Sequence, residues 1–220
     1  MKNKNADVFL QKIIKKKNYF ILKIKVESKV LDFKVLYVYN NFIKNLLANV
    51  AVSYKLGLLW KLHKNIFRNF NFEDGRGNVI YLKIKKKKIT LIDESYNSNP
   101  LSIKSTIENL EQFKSNGKKN LIISDMLELG KFSKNLHQKL ATTINKSKVN
   151  LVHVIGKNVK YTYDKLLRIK RGHYFKKNSE IIEFILKDSM NSDVYAIKGS
   201  NATKLYNIPK YFKKQKNYAL

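Results

Sequence analysis

The spacing of apolar residues changes along the chain and divides it into two textures. Between Ala6 and Val35, short apolar stretches are separated by polar breaks. Tyr19-Phe20-Ile21-Leu22-Lys23-Ile24-Lys25-Val26 ends in strict alternation, and Val30-Leu31-Asp32-Phe33-Lys34-Val35 alternates again, the period of a half-buried strand. Glu27-Ser28 between them fits a tight hairpin connection. From Asn41 to Leu59 the period lengthens. Leu46, Leu47, Val50, Ala51, Tyr54 and Leu58 follow the i, i+3, i+4, i+7 spacing of an amphipathic helix, and Trp60, Leu62 and Ile66 would continue its apolar face after a break at Gly57.

The texture shifts at Asp74. Gly75-Arg76-Gly77 predicts a turn and Val79 to Leu82 a strand. After a lysine run, Ile89-Thr90-Leu91-Ile92-Asp93 is a nearly continuous apolar strand ending in acid. Asn99-Pro100 breaks the chain, Ser102 is placed to cap a helix through Ile103, Ile107, Leu110 and Phe113, and Asn116-Gly117 marks its end. Asn120 to Asp125 is a second buried-type strand, Asn135 to Ile144 a helix, and Leu151 to Gly156 a third strand. Ser179 would cap a helix from Glu180 to Leu186, before a fourth strand over Asp193 to Ser200. Strands buried on both faces and alternating with helices call for an α/β fold, with a mostly parallel sheet and helices on both faces, preceded by a small α+β segment. In such sheets, functional groups collect at the carboxyl ends of the strands. Those ends are Asp93-Glu94, Asp125, Gly156 and Lys198-Gly199-Ser200. The domain boundary is placed near Glu73–Asp74, dividing the chain into 1–73 and 74–220.

Charge changes this picture less than its size suggests. The 220 residues contain 45 Lys+Arg against 16 Asp+Glu, a formal net charge of +29. Only four of the 45 are arginines (Arg68, Arg76, Arg168, Arg171), so the residue best suited to bidentate phosphate and guanine contacts is scarce. Lysines are spread along the chain, and asparagine is also abundant, at about 25 residues. A joint excess of Lys, Asn and Ile is what drift toward A/T-rich codons produces, so the expectation from composition is no dedicated nucleic-acid partner. With no cysteine there is no disulfide, thiolate zinc site or thiol nucleophile. No apolar run approaches the roughly 18 residues of a membrane span, and Met1 to Leu10 lacks a signal segment. The expectation is a cytoplasmic protein with no membrane partner.

Leu91 to Pro100, which contains Asp93, Glu94, Ser95, Tyr96, Asn97, Ser98 and Asn99, puts acids, hydroxyls and amides on one post-strand turn. Such groups can hold a ribose, a metal-bound water or an amino-acid carboxylate. They can equally form an Asx-rich turn that satisfies its own backbone. The wider set of segments resembles the Mur ligases, and within them the branch that adds D-alanyl-D-alanine to UDP-MurNAc-tripeptide. The family's IDxSYNANP segment is matched from Ile92 to Pro100, with Ser98 for the usual Ala. Its GDMLELG segment is matched from Ser124 to Gly130, with Ser124 for the first Gly. His137 follows at the expected distance, Lys198-Gly199-Ser200 matches the family's KGS strand end, Gly75-Arg76-Gly77 its GRG turn, and Asn45 the second asparagine of its Asn-containing helix. Asn41-Phe42 departs from the His-Asn pair that opens that helix, and the region after Asn201 is shorter and more basic than in the family.

The resemblance implies a Rossmann-like C-terminal domain over 74–220 that swings over an ATP site and brings in the incoming dipeptide, preceded by the last part of the central ATPase domain. It implies nucleotide-side roles for Asn45, Arg76, Asp93, Glu94, Tyr96, Asn97 and Asn99. It implies a dipeptide pocket shaped by Asp125, Glu128, His137, Lys198, Ser200 and Asn201. His63, His153 and His173 are expected to be structural. ATP and Mg²⁺ are the family's cofactors, yet the sequence contains no G-x-x-x-x-G-K-[ST] phosphate loop. The expectations are therefore that no catalytic or metal-binding residue lies on this chain, that it binds neither cofactor tightly, and that it does not ligate alone. It would act with a separately encoded N-terminal and central ligase fragment. The alternatives are a remnant without activity and a basic nucleic-acid-binding module. The apolar faces of Ala6–Val35 and of the Asn41–Leu59 helix are expected to lack partners on this chain and to drive association.

Overall fold

The computed structural model describes residues 6–36, 38–68, 70 and 73–215. Residues 1–5, part of the stretch read as carrying no signal segment, and the side chain of Asn41 lie outside the described set. The chain divides into two units, residues 1–71 and 72–220.

In the first unit, β1 (Val8–Lys15), β2 (Phe20–Val26) and β3 (Lys29–Val35) form an antiparallel sheet in that order. The hairpin turn is Glu27-Ser28, as the alternation required, with Glu27 in the left-handed region at φ 48°. Leu22, Ile24, Val26 and Phe33 are buried on one face, and α1 (Asn40–Lys55) packs on β1 and β2, burying Ile43, Leu46 and Val50; contrary to expectation, these apolar faces find partners in each other on this chain. The helix stops short of the expected Leu59. Gly57 takes φ 70°, a backbone suited to ending a helix, and only a three-residue 3-10 turn follows at Leu59–Lys61. Trp60 is 78% exposed, so the expected continuation of the apolar face does not form.

The second unit is a six-stranded sheet. Its elements are β4 (Asn78–Ile84), β5 (Lys87–Glu94), α2 (Pro100–Gln112), β6 (Lys119–Ser124), α3 (Ser133–Asn145), β7 (Leu151–Ile155), α4 (Lys160–Tyr163), β8 (Arg171–Phe175), α5 (Asn178–Asp188), β9 (Val194–Lys198) and α6 (Asn207–Lys214). The strand order is β4-β5-β9-β6-β7-β8, parallel except for the β4–β5 hairpin. The lysine run supplies both the hairpin's turn, where Lys85 takes φ 56°, and the first residues of β5.

Alternation along the strands sends side chains to two separate cores. Leu121, Ile123, Val152, Val154 and Ala196 meet Ile103, Ile107 and Leu110 of α2 and Leu140, Ala141 and Ile144 of α3. Leu91, Ile122, Tyr195 and Ile197 meet Ile181 and Ile185 of α5 and Ile208 and Phe212 of α6 on the other face. Two helix starts differ from expectation. Asn99, not Ser102, is the N-cap of α2, because Pro100 fits the first helical position; Ser102 completes a capping box three residues on. α5 begins at Asn178 with no side-chain cap from Ser179.

Candidate functional site

Parallel register brings the strand ends to one rim. Glu94 is the partner of Lys198 across β5–β9, Ile123 of Lys198 across β9–β6, and Ser124 of Ile155 across β6–β7. The sequence-named groups at the ends of β5, β9 and β6 therefore share an edge.

At the end of β5, Asp93 is buried and its carboxylate is fully used. It accepts from the Gly75 amide (3.1 Å), the Ser95 amide (3.2 Å) and the Ser95 hydroxyl (2.6 Å), and Lys213 Nζ lies 3.9 Å away. These bonds hold the Gly75-Arg76-Gly77 turn against the strand end. Gly75 takes φ 78°, and a Cβ there would run into the Tyr96 backbone, so the turn needs glycine. Arg76 lies with its guanidinium 4.0 Å from the Tyr96 ring centroid and pairs with Glu73 at 3.2 Å. The side-chain oxygens of Asn97 and Asn99 accept from the backbone amides of Ser98 (2.7 Å) and Ser102 (2.8 Å), the local bonding of an Asx-rich turn.

Lys198 ends β9, buried. Its ammonium donates to the carbonyls of Asn97 (2.8 Å) and Glu94 (3.3 Å) and lies 3.8 Å from Glu94 Oε2. Burial pushes the Glu94 carboxyl up and the Lys198 ammonium down, and each partner's charge opposes the other's shift. Two residues on, the Ser200 hydroxyl accepts from the Leu127 amide at 3.1 Å.

At the end of β6, Asp125 ties down the β7–α4 loop by accepting from the amides of Val159 (2.7 Å) and Lys157 (3.1 Å). His137, fully buried on α3, accepts from the Met126 amide at Nε2 (3.1 Å), and its Nδ1 lies 2.8 Å from the Ser133 carbonyl. This arrangement assigns the proton to Nδ1. The loop from Met126 to Gly130 is thus strapped from α3 and from β9, with Glu128 at φ 62°.

Between these segments lies a cleft of about 480 Å³. Five residues named from the sequence line it: Tyr96, Asn97, Glu128, Ser200 and Asn201. Leu127, Ala202, Lys204 and Tyr206 line it too and were not singled out. Leu127 belongs to the Asp-Met-Leu-Glu-Leu-Gly segment, whereas the other three follow the Lys-Gly-Ser segment with no local pattern to mark them. Asp93, Glu94, Asn99, Asp125, His137 and Lys198 are not among the lining residues; they hold the turns and loops that are. Arg76 reaches the cleft wall through Tyr96. Asn45 is exposed on α1 of the first unit. His153, treated as structural, is buried between β7 and Phe184, and His173 stacks beside it. Among the described residues no group of three His, Asp or Glu side chains is placed to hold a metal ion, and no helix is long and apolar enough to cross a membrane.

A mostly parallel, doubly covered sheet with a polar cleft at its strand ends defines a Rossmann-like domain. The chain belongs to the Mur ligase family: the family domain described as Mur ligase, glutamate ligase domain, matches residues 75–201. It is 28% identical over 187 residues to the UDP-N-acetylmuramoyl-tripeptide–D-alanyl-D-alanine ligase of Rickettsia prowazekii, a match covering 85% of this chain and 40% of that protein. Against the enzyme of the same name from the Buchnera aphidicola of Acyrthosiphon pisum, identity is 30% over 218 residues, 92% of this chain and 46% of that one. The fold matches the crystal structure of MurF ligase from Thermotoga maritima in complex with ADP, with a TM-score of 0.75 at 22% identity, over 96% of this chain and 47% of that chain. The chain thus spans less than half the length of each of these relatives.

Proposed function

We propose that this chain is the C-terminal portion of an ATP-dependent ligase that joins D-alanyl-D-alanine to UDP-MurNAc-tripeptide. Residues 74–220 serve as the domain that closes over the nucleotide and carries the dipeptide, and residues 1–73 as the last part of the central ATPase domain. The observation that carries this reading is the convergence of three segments on one cleft: the Tyr96-Asn97 turn, the Asp-Met-Leu-Glu-Leu-Gly loop and the strand end Lys198-Gly199-Ser200. The names of the Rickettsia and Buchnera relatives supply the substrates.

In this reading ATP supplies the activation of the acceptor carboxylate. The residues of this chain do not fit the holding of Mg²⁺ or of the phosphates. Among the described residues no group of three His, Asp or Glu side chains is placed to hold the metal, Asp93 is already saturated, and the sequence contains no phosphate loop. The work assigned to the chain is positioning. Arg76 on Tyr96 offers a flat cationic surface beside the cleft, while the loops on either side of β9 orient the dipeptide and keep water from it. Residues 1–220 alone are expected not to turn over ATP.

The test is a chimera in which residues 74–220 replace the matching part of a full-length D-alanyl-D-alanine-adding relative. ATP-dependent addition of D-alanyl-D-alanine by the chimera supports the reading, and a folded chimera without that activity removes it.

A further inference from the structure

Two of the cleft's lining residues carry charge, Glu128 and Lys204, and their signs are opposite. Glu128 comes from the loop after β6, and Lys204 from the segment after β9, the neighbouring strand. Among the described residues neither forms an ion pair, so both charges stay free to meet a ligand. Both residues also stand in the left-handed backbone region, at φ 62° and 57°. Non-glycine residues enter that region at a cost, and persist there where the surroundings hold them. Here the surroundings do so. The amides preceding Glu128 are bound by His137 and Ser200, and the Lys204 carbonyl accepts from Asn178 Nδ2 at 3.1 Å.

The rest of the lining is neutral, with the polar groups of Asn97, Ser200 and Asn201 set among apolar surfaces. A polyphosphate would find one cation there and one repelling carboxylate. A ligand with one ammonium, one carboxylate and a short, weakly apolar body would satisfy both charges, and the volume lies within the roughly 300–1,000 Å³ of small-molecule sites. We infer that Lys204 and Glu128 are the specificity-determining poles of a zwitterion site, Lys204 receiving the ligand's carboxylate and Glu128 its ammonium. The identification of that zwitterion as D-alanyl-D-alanine rests on the proposed function; the charge polarity does not.

The test titrates the ¹⁵N-labelled chain with D-alanyl-D-alanine, its N-acetyl derivative and its C-terminal amide, following the amides of Leu127, Asn201 and Tyr206. The free dipeptide is expected to bind roughly tenfold more tightly than either blocked form. Glu128→Gln should abolish the discrimination against the N-acetyl form alone, and Lys204→Gln that against the amide alone. Both side chains are exposed, so the variants should keep the wild-type spectrum outside the cleft. Equal binding of free and blocked forms, discrimination unchanged in either variant, or no shift with any of the three overturns the charge assignment. If glycylglycine and L-alanyl-L-alanine bind as well as D-alanyl-D-alanine with the same dependence on free ends, the poles stand and the substrate reading falls.

Discussion

Glu94 and Lys198 are register partners across β5 and β9, and the Lys198 ammonium lies 3.8 Å from Glu94 Oε2 while donating to the Asn97 carbonyl at 2.8 Å. One buried cation thus joins a strand end to the turn that carries Tyr96 and Asn97 into the cleft. Burial drives both groups toward their neutral forms, and the pair survives because each supplies the other's counter-charge.

Lys198→Met should therefore cost about 3 kcal/mol, as expected for stranding a largely buried carboxylate. Glu94→Gln added to it should restore part of that loss. The Glu94 carboxyl already titrates above its unfolded value, so protonation favours the fold, and stability falls as pH rises through the folded value. Removing Lys198 enlarges that shift. Urea unfolding should show the deficit of Lys198→Met narrowing as pH is lowered through the carboxylate range.

His153 gives a pH dependence of the opposite sign. It packs 4.6 Å from Phe184, accepts from the His173 amide at Nδ1, and has no partner for Nε2 among the described residues. Burial, aided by the neighbouring His173, lowers its pKa from 6.5 to about 3. The neutral ring's contribution is fully present above pH 6.5 and is lost as pH falls toward 3, at up to about 1.4 kcal/mol per pH unit. His153→Phe should flatten unfolding free energy against pH between 6.5 and 4, whatever its effect at neutral pH.

The His137 ring holds the Asp-Met-Leu-Glu-Leu-Gly loop from below. In His137→Leu the Met126 amide loses its buried acceptor, a loss of about 1–3 kcal/mol. The expected signature is faster amide exchange at Met126 and Leu127, with exchange in β7 unchanged.

Val52, Leu56 and Trp60 of the first unit are each more than half exposed. Large apolar side chains left in water favour association. Sedimentation velocity should show concentration-dependent association of the chain, reduced in Leu56→Lys/Trp60→Lys.

The parallel sheet, its two cores and the shared rim were legible because buried strands leave continuous apolar runs that end in polar residues. β8 was not. Arg171-Gly172-His173-Tyr174-Phe175 is an edge strand whose side chains need not be apolar, so no run marks it. α6 was missed for a similar reason, since Pro209 and three lysines interrupt its apolar pattern. Motifs located the site but did not assign the work within it. Asp93, Asp125 and His137 present the chemistry of ligand-binding groups, and only coordinates reveal that amides of the same chain occupy them. Lys204 lay beyond reach because it is one of 41 lysines and its placement depends on how the chain turns after β9.

The proposed role, in which these 220 residues carry the dipeptide-positioning part of a ligase whose phosphate-handling part lies outside them, is open to direct measurement. The most direct measurement mixes the chain with the N-terminal and central domains of a D-alanyl-D-alanine-adding relative, ATP, Mg²⁺, UDP-MurNAc-tripeptide and D-alanyl-D-alanine, and detects UDP-MurNAc-pentapeptide by mass spectrometry. The predicted result is product that requires both proteins and ATP. ATP turnover by the chain alone, or no product from two folded partners shown to associate, would contradict it.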